Sequence, residues 1–155
     1  MYKNEFKMTP TFKKLNYKDH KQILVLNPPK SFDTELNIMA ETATIFKSEN
    51  EISEIEFALV FVTKRHETDD IISALFPKLK GDVVLWFCYP KGTSKKYKCD
   101  FNRDTGWDGL KKLKLETVRQ VAIDEDWSAL RIRKVEFIKT MTRKEENFNK
   151  GDKRK

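Results

Sequence analysis

Three polar segments of the chain carry side chains that can bind a small anion. Each segment follows a predicted strand, and together they offer cationic, amide, carboxylate, hydroxyl and indole groups. The candidate ligand-binding residues are Asn27, Lys91, Ser94, Lys95, Lys96, Asp124, Trp127 and Ser128. Lysines act as point charges toward phosphate, and an indole can form one wall of a binding site. The pattern therefore predicts a site for a small anionic or phosphorylated ligand.

The same residues also have a purely structural interpretation. Asp124 can cap the turn that follows it, Trp127 can pack against Trp107, and the lysines can be solvated. Proton transfer between Lys91 and Asp124 is a further alternative, although lysine and aspartate near one another usually form an ion pair. Because the chain has no GxSxG, HExxH or P-loop motif, no catalytic residue and no metal ligand is predicted.

The predicted site depends on a central strand within residues 81–92, GDVVLWFCYPKG. Val83 to Tyr89 shows no polar alternation and is rich in β-branched and aromatic residues, which indicates burial on both faces. Two further apolar runs, Ile23 to Leu26 and Glu56 to Thr63, alternate with helical patterns. Such alternation implies parallel strands joined by right-handed crossovers. The loops after these strands then meet at one edge of the sheet, where open α/β folds bind ligands.

The last part of the predicted sheet is a hairpin. Leu115 to Asp124 and Trp127 to Ile138 are β-rich and are separated only by two acidic residues, so they must be antiparallel. An irregular alternation near Arg133 predicts a bulge, and Gly81 is predicted to cap the preceding helix. The fold class is therefore α/β, a Rossmann-like three-layer sandwich whose mainly parallel sheet ends in an antiparallel hairpin. This order is similar to a shortened fold of S-adenosylmethionine-dependent methyltransferases.

Four segments carry a closer resemblance, and they span Ile23 to about Val135. They are VLNPPKSF, FALVFVT, VLWFCYPKGTSKKYKCDFNRDTGW and VRQVAIDEDWSALRIRKV. In combination they resemble a family of small bacterial proteins that is defined as a domain of unknown function. The resemblance implies a Rossmann-like domain without an assigned reaction.

The turn after the first predicted strand, NPPKSF, does not suit a nucleotide cofactor. Binding of S-adenosylmethionine or a dinucleotide requires a glycine-rich turn here, because backbone amides must approach the ligand closely. Pro28 and Pro29 remove two amide donors, and the turn has no glycine. The turn also differs from the Asn-Pro-Pro-aromatic motif of adenine methyltransferases, since Lys30 replaces the aromatic residue. The sequence therefore predicts no cofactor.

The net charge of +7 is concentrated at the two ends of the chain. Residues 1–22 hold six Lys/Arg against two Asp/Glu, residues 140–155 hold six against three, and residues 23–139 are balanced at 19 each. We expect a basic N-terminal arm with a short helix at 1–22, a single Rossmann-like domain at 23–139, and a disordered basic tail at 140–155. Weak, nonspecific nucleic-acid binding through the arms is one alternative function.

The sequence favours a cytoplasmic protein without a membrane partner. No run approaches the roughly 20 apolar residues that a membrane-spanning helix needs, and Cys88 and Cys99 form neither a CxxC pair nor a zinc motif. The preferred function is a non-catalytic, methyltransferase-like binding or regulatory domain that recognises a small anionic ligand or a protein partner at the carboxyl edge of its sheet. A divergent enzyme, such as an S-adenosylmethionine-dependent methyltransferase, is the second alternative.

Overall fold

A computed structural model describes residues 8–101 and 107–138. Six strands of this part form one sheet: β1 (Gln22–Leu26), β2 (Thr44–Phe46), β3 (Ile55–Phe61), β4 (Leu79–Pro90), β5 (Leu115–Ala122) and β6 (Trp127–Lys134). Their spatial order is β2-β1-β3-β4-β6-β5. The first four strands are parallel, and β6 is antiparallel to both β4 and β5. The predicted fold class is confirmed.

Helices cover both faces of the sheet and produce three layers. The helices are α1 (Pro10–Lys14), α2 (Asp33–Met39), α3 (Arg65–Leu75) and α4 (Asp108–Lys112). Ile72 of α3 and Leu110 of α4 belong to the hydrophobic core on one face, which we call the α3/α4 face. Phe12 of α1 and Leu36 of α2 belong to the core on the other, the α1/α2 face. Within the described residues, no helix is long and apolar enough to cross a bilayer.

The two cores explain why the central strands are apolar throughout. Successive side chains of a strand point to opposite faces, so a strand that is covered on both sides needs apolar residues at every position. In β4, Phe87 packs into the α3/α4 core, whereas Trp86 and Cys88 pack into the α1/α2 core. Burial strongly raises the pKa of the Cys88 thiol, which makes that thiol inert as a nucleophile.

The strand directions bring the predicted loops to a common edge, as expected. Near this carboxyl edge Leu26 pairs with Val60, Phe61 with Cys88, Pro90 with Trp127, and Ala122 with Ser128. The loops that follow β1, β3, β4 and β5 therefore leave the sheet on the same side. The predicted site requires these loops to lie on the same side of the sheet.

Several local predictions differ from the structure. β6 ends at Lys134, and residues 135–138 are helical rather than extended. Gly81 lies inside β4 with φ of 53°, and does not cap α3. The register irregularity of the hairpin lies in β5, between Thr117 and Arg119, rather than near Arg133. The predicted tail at residues 140–155 lies outside the described residues.

Helix α1 of the predicted N-terminal arm packs tightly onto the sheet. The hydroxyl of Thr9 caps the helix by accepting a hydrogen bond from the Phe12 amide at 3.1 Å. Phe12 and Leu15 are fully buried in the core of the α1/α2 face. The indole Nε1 of Trp86 donates to the Leu15 carbonyl at 2.8 Å, which ties the end of this helix to the central strand.

Candidate functional site

The hairpin turn between β5 and β6 is held by Asp124. Its Oδ1 accepts hydrogen bonds from the backbone amides of Asp126 and Trp127, each at 2.8 Å. A carboxylate that bonds the amides two and three residues ahead is a common way to stabilise a tight turn. These contacts support the structural interpretation of Asp124, in which its carboxylate caps the turn, over a role in ligand binding.

The loop after β4 is attached to this turn through Ser94 and Lys91. The Ser94 hydroxyl donates to Oδ1 of Asp126 at 2.9 Å and accepts from the amides of Lys96 and Tyr97 at 3.2 and 3.1 Å. The amide of Lys91 donates to the Asp126 carbonyl at 2.8 Å. These contacts fix the backbone of the loop, and they engage the Ser94 hydroxyl within the protein.

A cavity of about 480 Å³ lies beside this loop at the carboxyl edge. We call it the carboxyl-edge cavity. It is lined by Tyr89, Lys91, Gly92, Thr93, Gln120, Val121, Ala122 and Ser128. The Tyr89 hydroxyl donates to Oε1 of Gln120 at 2.9 Å across the strands, while the Ser128 hydroxyl has no hydrogen-bond partner among the described residues. Among the described residues of this lining, Lys91 is the one with a formal charge, and that charge is positive.

The sheet separates Trp127 from Ser128. Because the two residues are consecutive in β6, their side chains point to opposite faces. Trp127 packs in the α1/α2 core, with its ring centroid 5.2 Å from Phe61 and 4.9 Å from Tyr97. Trp107 lies in the α3/α4 core, so the predicted packing of Trp127 against Trp107 is wrong.

The remaining candidate residues lie at the same edge but outside the cavity lining. Lys95 and Lys96 are exposed, and Asn27 is exposed at the end of β1 with φ of 56°. Since β3 lies between β1 and β4, Asn27 is two strand spacings, roughly 10 Å, from the strand that leads to Lys91. Of the eight candidates, the structure brings Lys91 and Ser128 together in one cavity.

Sequence reasoning missed two polar residues of the cavity, Thr93 and Gln120. Gln120 lies in β5 opposite Leu130, on the same face as Ser128. Its position follows from the bulge in β5, because one extra residue reverses which side chains share a face. Because the residues around the bulge are polar on both faces of the strand, the sequence pattern does not indicate that Gln120 faces the cavity.

Comparisons with known proteins support the fold and go no further. No family model matches the chain, and no curated protein matches its sequence. A putative type 11 methyltransferase from Sulfolobus solfataricus has a similar structure, with a TM-score of 0.50 and 10% sequence identity. The matched region covers 74% of this chain and 85% of that chain. A protein in the NADB-Rossmann superfamily from Streptococcus agalactiae has 9% identity, covers 84% and 70% of the two chains, and has a TM-score of 0.47.

At this identity, the first of these similarities shows that the chain has a methyltransferase-like, Rossmann-like fold. The resemblance to a bacterial family of unknown function stays a prediction.

Proposed function

We propose that this methyltransferase-like domain is a binding or regulatory module that takes a small anionic ligand in its carboxyl-edge cavity. The observation that carries the proposal is that Lys91 and Ser128 both line a space of about 480 Å³, and that the Ser128 hydroxyl has no hydrogen-bond partner among the described residues. This volume is in the range of small-molecule sites, and the position at the carboxyl ends of the strands is where open α/β sheets bind ligands.

The lining favours an anion over a cation or an apolar ligand. Lys91 is half-buried, so its charge is less screened than that of a fully exposed lysine. The hydroxyls of Ser128 and Thr93 can donate hydrogen bonds to the oxygens of a phosphate or carboxylate. None of the described lining residues carries a negative charge that would oppose such a ligand.

The same lining argues for binding rather than catalysis. None of the eight lining residues is a carboxylate, an imidazole or a thiol, the groups that most often act as general bases or nucleophiles. The glycine-free turn that contains Pro28 and Pro29 also supports a domain without a nucleotide cofactor. Cys88 and Cys99 are free thiols, which supports a reducing compartment such as the cytoplasm.

Nuclear magnetic resonance titration of the ¹⁵N-labelled protein tests this function. Inorganic phosphate, adenosine monophosphate and S-adenosylmethionine are added separately. We expect one of the two phosphate compounds to shift the amide signals of Gly92, Thr93 and Ser128 at millimolar concentration. Lys91→Ala should weaken that binding by about tenfold, because a charge-assisted hydrogen bond is lost.

Lys96→Ala is the matched control, because this exposed lysine lies in the same loop but does not line the cavity. Equal weakening by both lysine variants would show that the effect is general charge rather than the cavity. The proposal is wrong if neither phosphate compound shifts these signals. It is also wrong if S-adenosylmethionine binds more tightly and shifts the signals near Asn27, which would favour a divergent methyltransferase.

A further inference from the structure

Two arginines on the hairpin lie side by side on the α1/α2 face. Arg119 of β5 is the register partner of Arg131 of β6. The guanidinium carbon of each residue lies 5.9 Å from the ring centroid of Trp86. Both NH1 groups donate to the same oxygen, Oδ1 of Asn16, at 3.2 Å from Arg119 and 3.0 Å from Arg131. The two positive charges are therefore close together, and we call these residues the arginine pair.

The support beneath the arginine pair is rigid. Trp86 is fully buried, and its indole nitrogen is bound to the carbonyl of Leu15. The next residue, Asn16, has φ of 69° and directs its amide oxygen to the pair. An aromatic face and a neutral oxygen orient the guanidinium groups without cancelling their charge.

Unlike the arginine pair, the neighbouring Arg133 is paired with a carboxylate. Arg133 binds Asp82 side-on, with Nε 3.1 Å from Oδ1 and NH2 bound to Oδ2. Among the described residues, the side-chain acceptor of the arginine pair is the neutral amide oxygen of Asn16, not a carboxylate. The Nε of Arg131 is buried and has no hydrogen-bond partner in this part of the chain. The pair thus combines two close positive charges whose hydrogen bonds, within the described residues, go to neutral oxygen atoms.

The pKa of Arg131 reflects its burial and the charged groups around it. Burial, and then the positive charges of Arg133 and Arg119, lower the pKa of Arg131 to about 10, while Asp82 acts in the opposite direction. The guanidinium group therefore remains protonated at neutral pH. A bound anion would relieve the repulsion between the two arginines, because opposite charges at short range favour the charged form.

A third positive group extends this surface. The Nζ of Lys14, in α1, donates to the carbonyl of Ala122 at 2.7 Å, which places the lysine over β5. Ala122 is three residues beyond Arg119, or roughly 10 Å along the strand. A row of three cations therefore lies on this face, with Lys14 and Arg119 along the edge strand β5 and Arg131 next to Arg119 on β6.

We infer that the row formed by Lys14, Arg119 and Arg131 binds the phosphate backbone of a nucleic acid. Arg119 is exposed on the edge strand, so the row is an open surface rather than an enclosed site for a compact metabolite. Trp86 is too deeply buried to stack on a base. The row thus offers charge and hydrogen bonds to phosphates without reading the sequence.

Fluorescence anisotropy with the full chain and a fluorescein-labelled RNA of mixed sequence, about 20 nucleotides long, tests this inference. The wild-type protein should bind at low salt, and its affinity should fall steeply as salt is added. Arg119→Gln should weaken binding by about fivefold and reduce the magnitude of the salt slope by roughly 0.7, the contribution of one phosphate contact on a single strand. Arg119→Lys should retain most of the affinity, because it keeps the charge.

Lys111→Gln is the matched control, since it removes an exposed positive charge from α4 on the opposite side of the sheet. It should leave both affinity and salt slope unchanged. The inference is overturned if the wild-type protein does not bind the RNA, if Arg119→Gln binds as well as wild type, or if both Gln variants lose the same affinity. Displacement of the RNA by an equimolar amount of adenosine monophosphate would also overturn it, because the site would then prefer a small phosphate compound.

Discussion

Trp86→Phe is expected to destabilise the protein through the loss of one buried hydrogen bond. Trp86 is fully buried, and its Nε1 donates to the Leu15 carbonyl at 2.8 Å. Phenylalanine keeps a ring at this position but cannot donate. The carbonyl at the end of α1 would then lose this partner in an environment with little access to water.

The magnitude follows from two contributions. A buried carbonyl without a partner costs about 1–3 kcal/mol. The smaller ring also removes apolar contact equivalent to one or two methylene groups, which adds about 1 kcal/mol. The free energy of unfolding should therefore fall by about 2–4 kcal/mol. For a chain of this length, that corresponds to a decrease in Tm of about 5–15 °C.

Urea unfolding followed by circular dichroism measures this change without relying on the substituted fluorophore. Trp127→Phe is the matched control, since Trp127 is only 4% exposed but its Nε1 has no hydrogen-bond partner among the described residues. This second variant loses packing but no hydrogen bond, and it also removes a buried unpaired donor. Its cost should be about 1 kcal/mol or less. An equal loss of stability in the two variants would refute the role assigned to the Trp86 hydrogen bond.

Two further predictions concern the candidate site and the pH dependence of stability. Ser94→Ala should lower the free energy of unfolding by about 1–2 kcal/mol, because it removes the hydrogen bond to Asp126 and those from two backbone amides. Ser128→Ala should change the free energy of unfolding by less than about 0.5 kcal/mol. Urea unfolding that shows the larger loss for Ser128→Ala would contradict the roles assigned to the two serines. Burial lowers the pKa of His20 from 6.5, so the unfolded chain takes up the proton first and stability should be lost as the pH falls below about 6.5. His20→Gln should reduce this loss in urea midpoints measured on both sides of that pH, and an unchanged pH profile would count against it.

The fold was predictable because its signals are local. The apolar runs at Ile23 to Leu26 and Val83 to Tyr89 are short, continuous and separated by helical patterns, so they specify buried parallel strands. The handedness of crossover connections then brings their carboxyl ends to one edge. The brief link between β5 and β6 predicts the closing hairpin in the same way.

The division of the candidate site between two faces was not predictable. Both sides of the sheet are covered by helices, so a buried residue such as Trp127 has the same apolar pattern whichever face it occupies. Ser94 likewise has the type and position of a ligand-binding residue. Its engagement with Asp126 depends on two loops that are 32 residues apart in the chain.

Residue order and composition were thus sufficient for the class of fold, the common edge of the strands and the positive charge of Lys91 beside it. Tertiary structure alone decided which side chains share a cavity and which cations share a surface. The bulge between Thr117 and Arg119 places Arg119 opposite Arg131; with regular alternation it would point to the other face. Such a shift depends on pairing between strands, and pairing is a property of the folded sheet that composition and local periodicity do not encode.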